Sequence, residues 1–151
     1  MASADDVAAV RELLGRAPQA DFDVVVRDDA GAPVVIRNAP LLDDGTPMPT
    51  RYWLVGTEDR VMIARLESAG LIDVAEAEIG DAALDAAHAD YAAERDAELP
   101  PGYSGPVPIG GVGGTRRGIK CFHAHWAWYL AGGRDPVGVW IEERLAADAP
   151  V

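Results

Sequence analysis

Thirty-six consecutive residues, Leu99 to Arg134, contain no Asp or Glu, in a chain that places its twenty-five carboxylates among the other 115 positions. The stretch carries four cations, Arg116, Arg117, Lys120 and Arg134, and so has a charge of +4 within a chain of net charge -12. It also holds the single Lys, the single Cys and two of the three His. Its middle, Gly110-Gly111-Val112-Gly113-Gly114, can take backbone conformations closed to other residues. It then runs through Thr115-Arg116-Arg117-Gly118-Ile119-Lys120 into Cys121-Phe122-His123-Ala124-His125-Trp126-Ala127-Trp128-Tyr129-Leu130. We read it as a flexible loop feeding the N-terminus of a buried helix, a junction that points to a binding site.

At 151 residues and 49% apolar composition, the chain suits a single domain, 1–151, with one core of ordinary size. The acidic balance argues against nucleic acid as a partner, because a phosphate backbone needs a coherent basic face. An anionic membrane is disfavoured for the same reason. The start, Met1-Ala2-Ser3-Ala4-Asp5-Asp6, lacks the basic and apolar pattern of a signal peptide. No segment approaches the roughly 20 apolar residues of a membrane span. The expected location is the cytoplasm.

The rest of the chain reads as an α+β fold, a small antiparallel sheet of about three strands packed with four to five helices. Ser3 and Asp6 have the spacing of a capping box, and Val7, Val10, Leu13 and Leu14 recur at helical period up to Gly15. Phe22 to Arg27 and Val34 to Arg37, joined by Asp28-Asp29-Ala30-Gly31-Ala32-Pro33, predict a hairpin. A third strand follows over Arg51 to Val55, after a loop stiffened by Pro40, Pro47 and Pro49. Thr57 is placed to cap the next helix, which Gly70 closes. On that helix Arg65 falls in the stripe of Val61, Met62 and Ala69, where its head either snorkels to water or meets a carboxylate or bound anion. Asp81 to Leu99 predicts the longest helix, with Leu84, His88, Tyr91 and Arg95 on one stripe, dry at one end and polar at the other. Ile119 to Ala131 predicts the fourth helix. Asp135 caps a fifth, with Pro136 first and Val137, Trp140, Ile141 and Leu145 inward.

A glycine loop and a helix start together present free amide donors to an anion, and Arg116, Arg117 and Lys120 add formal charge. The alternative is a mobile linker with solvated arginines. The spacing matches neither a P-loop nor a dinucleotide fingerprint. Cys121, His123 and His125 are the candidate catalytic residues. A thiol at a helix start beside Lys120 is expected to ionise readily, unless Cys121 is simply a small buried hydrophobe. These three residue types also ligate zinc, although a continuous helix would let only Cys121 and His125 share a face.

The motifs Asp44-Gly45-Thr46-Pro47-Met48-Pro49-Thr50-Arg51-Tyr52-Trp53-Leu54, Arg65-Leu66-Glu67-Ser68-Ala69-Gly70, Lys120-Cys121-Phe122-His123-Ala124-His125 and Asp135-Pro136-Val137-Gly138 occur in this order along nearly the whole chain. In this it resembles the actinobacterial family of unknown function number 501. The resemblance implies a small cytoplasmic protein, often encoded beside a septum-formation initiator and an exopolyphosphatase. It also implies two departures: family members often carry a Cys-Pro pair in the first hairpin turn, and a His where this chain has Trp128. Both losses remove potential metal ligands, so no metal-binding residue is assigned.

The leading functional expectation is a pocket for a small anionic or phosphate-bearing ligand around residues 110–125. Arg65, His88, Tyr91, Arg95, Arg116, Arg117 and Lys120 would bind it, and Cys121, His123 and His125 would carry any chemistry. Two other readings stand beside it. One is a non-catalytic interaction module linked to cell division, whose basic loop meets an acidic protein partner. The other is a metal site on Cys121 and His residues. If Arg65, Arg95 and Lys120 converge, a bound anion or a distant carboxylate must balance them, with Glu67 and Glu94 the nearest in sequence.

Overall fold

The computed structural model describes residues 1–148, which form an α+β fold of a three-stranded antiparallel sheet and six α-helices. Helix α1 (Ala4–Leu14) starts where the Ser3 hydroxyl accepts the Asp6 amide and stops at Gly15 in the left-handed region. Strands β1 (Phe22–Arg27) and β2 (Pro33–Asn38) pair as the expected hairpin, with two register shifts near Val26. The turn is built on the Asp28 side chain, which accepts the amides of Ala30 and Ala32, while Gly31 takes a φ of 84°. Strand β3 (Tyr52–Leu54) adds to β2, giving the order β1-β2-β3. Arg27 reaches across to Asp6 with both terminal nitrogens, holding α1 against β1, and this bond keeps the Asp6 carboxyl below its ordinary range.

Because neighbouring strand residues point to opposite sides, the sheet divides the apolar side chains into two cores. Val10, Phe22, Ile36 and Val55 form the smaller one under α1, joined by Leu14 and Trp53. The larger core takes Val35, Tyr52 and Leu54 from the other face, together with Ile63, Leu84, Tyr91, Phe122, Ala127 and Ile141 from the helices.

Helix α2 (Thr57–Ser68) is capped by Gly56 without a side-chain bond; Thr57 is its first helical residue rather than its cap. Its inward residues are Ile63, Met62 and Leu66, whereas Val61 is 47% exposed. The stripe predicted from Val61 and Ala69 is therefore the solvent side, and Arg65 lies there, exposed. Ile63 and Leu66, one turn apart, have more to bury, and they set the rotation of the helix.

At Gly70, whose φ of 77° ends one helix and opens the next, the chain turns directly into α3 (Leu71–Ile79), an element absent from the sequence reading. Its short apolar run has no capping side chain to announce it. Helix α4 (Asp81–Asp96) is three residues shorter than the predicted span to Leu99. Helix α5 (Phe122–Leu130) begins at Phe122, not Ile119, with Cys121 extended as its N-cap. Helix α6 (Pro136–Asp148) opens on Pro136 as expected, and Val137 and Ile141 are buried. Among the described residues, no helix is long and apolar enough to cross a membrane.

Candidate functional site: a cationic cleft beside helix α5

The glycine loop is pinned from below by α4. Val112 donates its amide to Nδ1 of His88 (3.1 Å), which leaves Nε2–H to donate to the Gly118 carbonyl at 2.8 Å. Gly111 lies so close to α4 that a Cβ there would sit 2.4 Å from that of His88. Arg95, 1% exposed, donates to the carbonyls of Pro49 (3.0 Å), Gly110 (2.9 Å) and Pro108 (3.5 Å), and through Nε to Asp96 (2.9 Å). The Tyr91 hydroxyl accepts the amides of Arg51 and Tyr52, and burial pushes its pKa far up. His88, Tyr91 and Arg95 thus spend their polar atoms on backbone that the loop and β3 leave without ladder partners.

The segment leading into α5 and the first residue of that helix are served in the same way from α3 and α2. Glu76 accepts the Ile119 amide at 2.6 Å, and Glu67 accepts the Phe122 amide at 2.7 Å. Two carboxylates from outside the acid-free stretch therefore stand where a ligand anion was expected. The other Oε of Glu67 lies 2.8 Å from His123 Nδ1. Glu94, the second carboxylate considered, pairs with Arg51 at 3.3 Å.

Beyond this filled position, a cleft of about 320 Å³ opens between α5, β3 and the segment after α1. Lys120, Cys121 and His123 line it, together with Gly113 of the loop and two residues the sequence reading missed, Arg16 and Arg60. Each cation is positioned by a neutral group: Lys120 Nζ donates to the Gly113 carbonyl (3.1 Å), Arg60 to the Leu13 carbonyl (3.2 Å), and Arg16 lies 5.9 Å over the Trp53 ring. Among the described residues, no carboxylate oxygen lies within 4.0 Å of any of the three. Leu14, Trp53, Leu54 and Ala124 form the apolar wall.

The expected convergence of Arg65, His88, Arg95, Lys120 and His123 is not what the structure has. Lys120 and His123 share the cleft, His88 and Arg95 are buried under the loop, and the cleft is lined without Arg65. Arg116 and Arg117 are exposed on the loop. His125 is also apart, buried with Nδ1 2.7 Å from Asp135, whose other oxygen accepts the Val137 amide and caps α6. Among the described residues, no three of His, Cys, Asp and Glu are placed to hold a metal ion together. Cys121 borders the cleft while His125 faces Asp135 inside the core, so the two do not share a ligand position.

The environment of Cys121 also corrects an expectation. Burial pushes its thiol up, outweighing the nearby Ala124 amide and the Lys120 charge, which favour the thiolate, while Glu67 disfavours it. Alkylation by iodoacetamide near neutral pH is expected to be slower than that of free cysteine, with a pH–rate midpoint above the free thiol's value. A midpoint below that value would show an activated thiol.

A second cavity, of about 350 Å³, lies at the Phe22–Asn38 end of the hairpin, lined by Asn38 and Arg51 among others. Its charges have both signs and are partly paired, Arg37 with Asp23 and Arg51 with Glu94, each at 3.3 Å. It offers no excess charge of either sign to a ligand. The cationic cleft does, and we take it as the candidate site.

Comparison with known proteins gives the family but no activity. The model of a family described as a protein of unknown function, DUF501, matches residues 24–143, and the chain belongs to that family. No curated protein and no solved structure matches the chain.

Proposed function

We propose that the protein binds a small organic anion, an oxyanion joined to an apolar body, in the cleft beside α5. One observation carries this reading: Arg16, Arg60 and Lys120 line one concave surface with no carboxylate oxygen within 4.0 Å of their charged nitrogens among the described residues, in a chain of net charge -12. Arg27, Arg37 and Arg51 have acidic partners; what sets Arg16, Arg60 and Lys120 apart from the exposed arginines without one is the concave surface they share. Carbonyls and an indole ring already hold the three charges in place, which lowers the cost of ordering them around a ligand. The volume is at the small end of the roughly 300–1,000 Å³ common for ligand pockets, and the wall of Trp53, Leu54 and Leu14 suits the ligand's apolar part.

Phosphate is expected to raise the melting temperature of the wild-type protein. At about a hundred times its Kd the gain is about 2.7 kcal/mol by mass action. Lys120→Ala and Arg60→Ala should lose most of this gain while keeping the fold, and Arg65→Ala should retain it. Equal stabilisation in all four proteins, or none in the wild type, would refute the reading.

A second reading, an interaction face for an acidic protein, is favoured by the loop itself. Val107 and Ile109 are 50% and 61% exposed, and Gly111 and Thr115 pair (2.7 Å) to join their limb to that of Arg116 and Arg117. Association through this face should weaken with salt and be lost in an Arg116→Glu, Arg117→Glu double variant, measured by co-purification at two ionic strengths. An unchanged set of partners would exclude it.

A further inference from the structure

Three cations account for attraction to an anion in the cleft, but not for the fourth polar group there. His123 lines the same surface with its side chain 32% exposed, and Nδ1 lies 2.8 Å from Glu67 Oε1. Glu67 is itself fixed, because its other oxygen accepts the Phe122 amide. Nε2 has no protein partner among the described residues. A carboxylate fixed beside one ring nitrogen, with the other nitrogen free of protein partners on a side chain that lines a cationic surface, is an arrangement in which an imidazole can gain a proton without moving. Resting on the reading just given, we infer that His123 is the proton-exchanging group of the cleft: as an oxyanion binds, Nε2 takes up a proton and donates it in a hydrogen bond to the ligand, so that the cleft selects doubly charged oxyanions, of the phosphate-monoester kind, over singly charged ones.

The charges around the ring support both halves of this. His123 lines the cleft with Arg60 of α2, Lys120 of its own segment and Arg16 beyond α1; of opposite sign are Glu67 of α2, at 2.8 Å, and Asp59 of the same helix, which accepts from the Trp126 indole one turn along α5. A bound oxyanion brings negative charge to the same place and so favours the protonated form of the ring. A dianion does so twice as strongly as a monoanion toward every cation it meets. The other titratable groups on the surface are the Cys121 thiol and the Tyr52 hydroxyl, which burial pushes up and away from neutrality. Histidine is the side chain whose charge changes between about pH 5 and 8. The remaining two, His88 and His125, are buried outside the cleft.

Sulfate and methanesulfonate separate the proposal from its parent reading, because neither changes charge between about pH 6 and 8. By calorimetric titration, sulfate should bind roughly tenfold more tightly than methanesulfonate near pH 6. Its affinity should fall several-fold toward pH 8, and titrations in buffers of different ionisation heat should show proton uptake. His123→Gln should flatten the pH dependence and abolish the uptake while weaker sulfate binding persists. Sulfate binding that is independent of pH, or equal to that of methanesulfonate, overturns the inference and leaves the anion site standing. So does pH dependence unchanged in His123→Gln. No binding of either ion to the wild type removes both.

Discussion

Arg95→Ala should destabilise the protein by about 3 to 5 kcal/mol, the range seen when one partner of a buried charged network is removed. The guanidinium is 1% exposed, and the substitution strands the carbonyls of Pro49, Gly110 and Pro108 while opening a cavity between α4 and the glycine loop. For a chain of this size that corresponds to a loss of roughly 10 °C in melting temperature. Urea denaturation gives the free energy, and limited proteolysis should cut first within 100–118, the segment Arg95 anchors. Asp96→Ala makes the contrast: Asp96 also contacts the guanidinium, at 2.9 Å, but its side chain is 42% exposed. Its loss should cost under about 1 kcal/mol. Similar losses for the two variants would mean that the ion pair, not the bonds to carbonyls, holds the loop.

Asp135→Ala is expected to be comparably severe, at about 3 kcal/mol or more. Its two oxygens perform separate tasks, one capping α6 through the Val137 amide and one meeting His125 Nδ1, with both side chains at most 1% exposed. His125 Nε2 already lacks a partner, so the substitution leaves the whole ring without one. Asp135→Asn preserves an acceptor for Val137 and should recover about 1 kcal/mol, the usual value of a cap. In a double-mutant cycle, His125→Leu should cost much less in the Asp135→Ala background than in the wild type. Additive losses would show that the buried pair contributes nothing beyond the cap.

Local chemistry wrote the hairpin, the third strand and the start of α6 plainly into the sequence. Asp28 and Gly31 make the turn, proline marks the approach to β3, and Asp135 followed by Pro136 opens a helix. Helix α3 was hidden because a left-handed glycine serves both it and α2, leaving no capping side chain to read. Arg65 was misplaced because Val61 and Ala69 offered a plausible stripe, while the burial of Ile63 decided the rotation. The site was legible only in part. Lys120, Cys121 and His123 stand out by composition, but Glu67 and Glu76 reach the neighbouring Phe122 and Ile119 amides across 55 and 43 residues, and Arg16 and Arg60 come from elements with no pattern linking them to the loop. Such pairings depend on how helices cross, and a single sequence carries no local signal of that.

The division of the apolar residues by the sheet bears on how the protein opens. Leu14 and Trp53 belong to the core under α1, whereas Leu54, Cys121 and Ala124 pack with the other, and all five border the cleft. The cleft is thus a seam between two separately packed bodies, and an occupant touching both walls must be released before either can swing away. Amide exchange in α1, an element whose few contacts to the sheet make it the easier one to lift, should then slow as ligand concentration rises, in step with exchange in α5. Two exchange units would become one, and the ligand would act as the missing piece of packing between them.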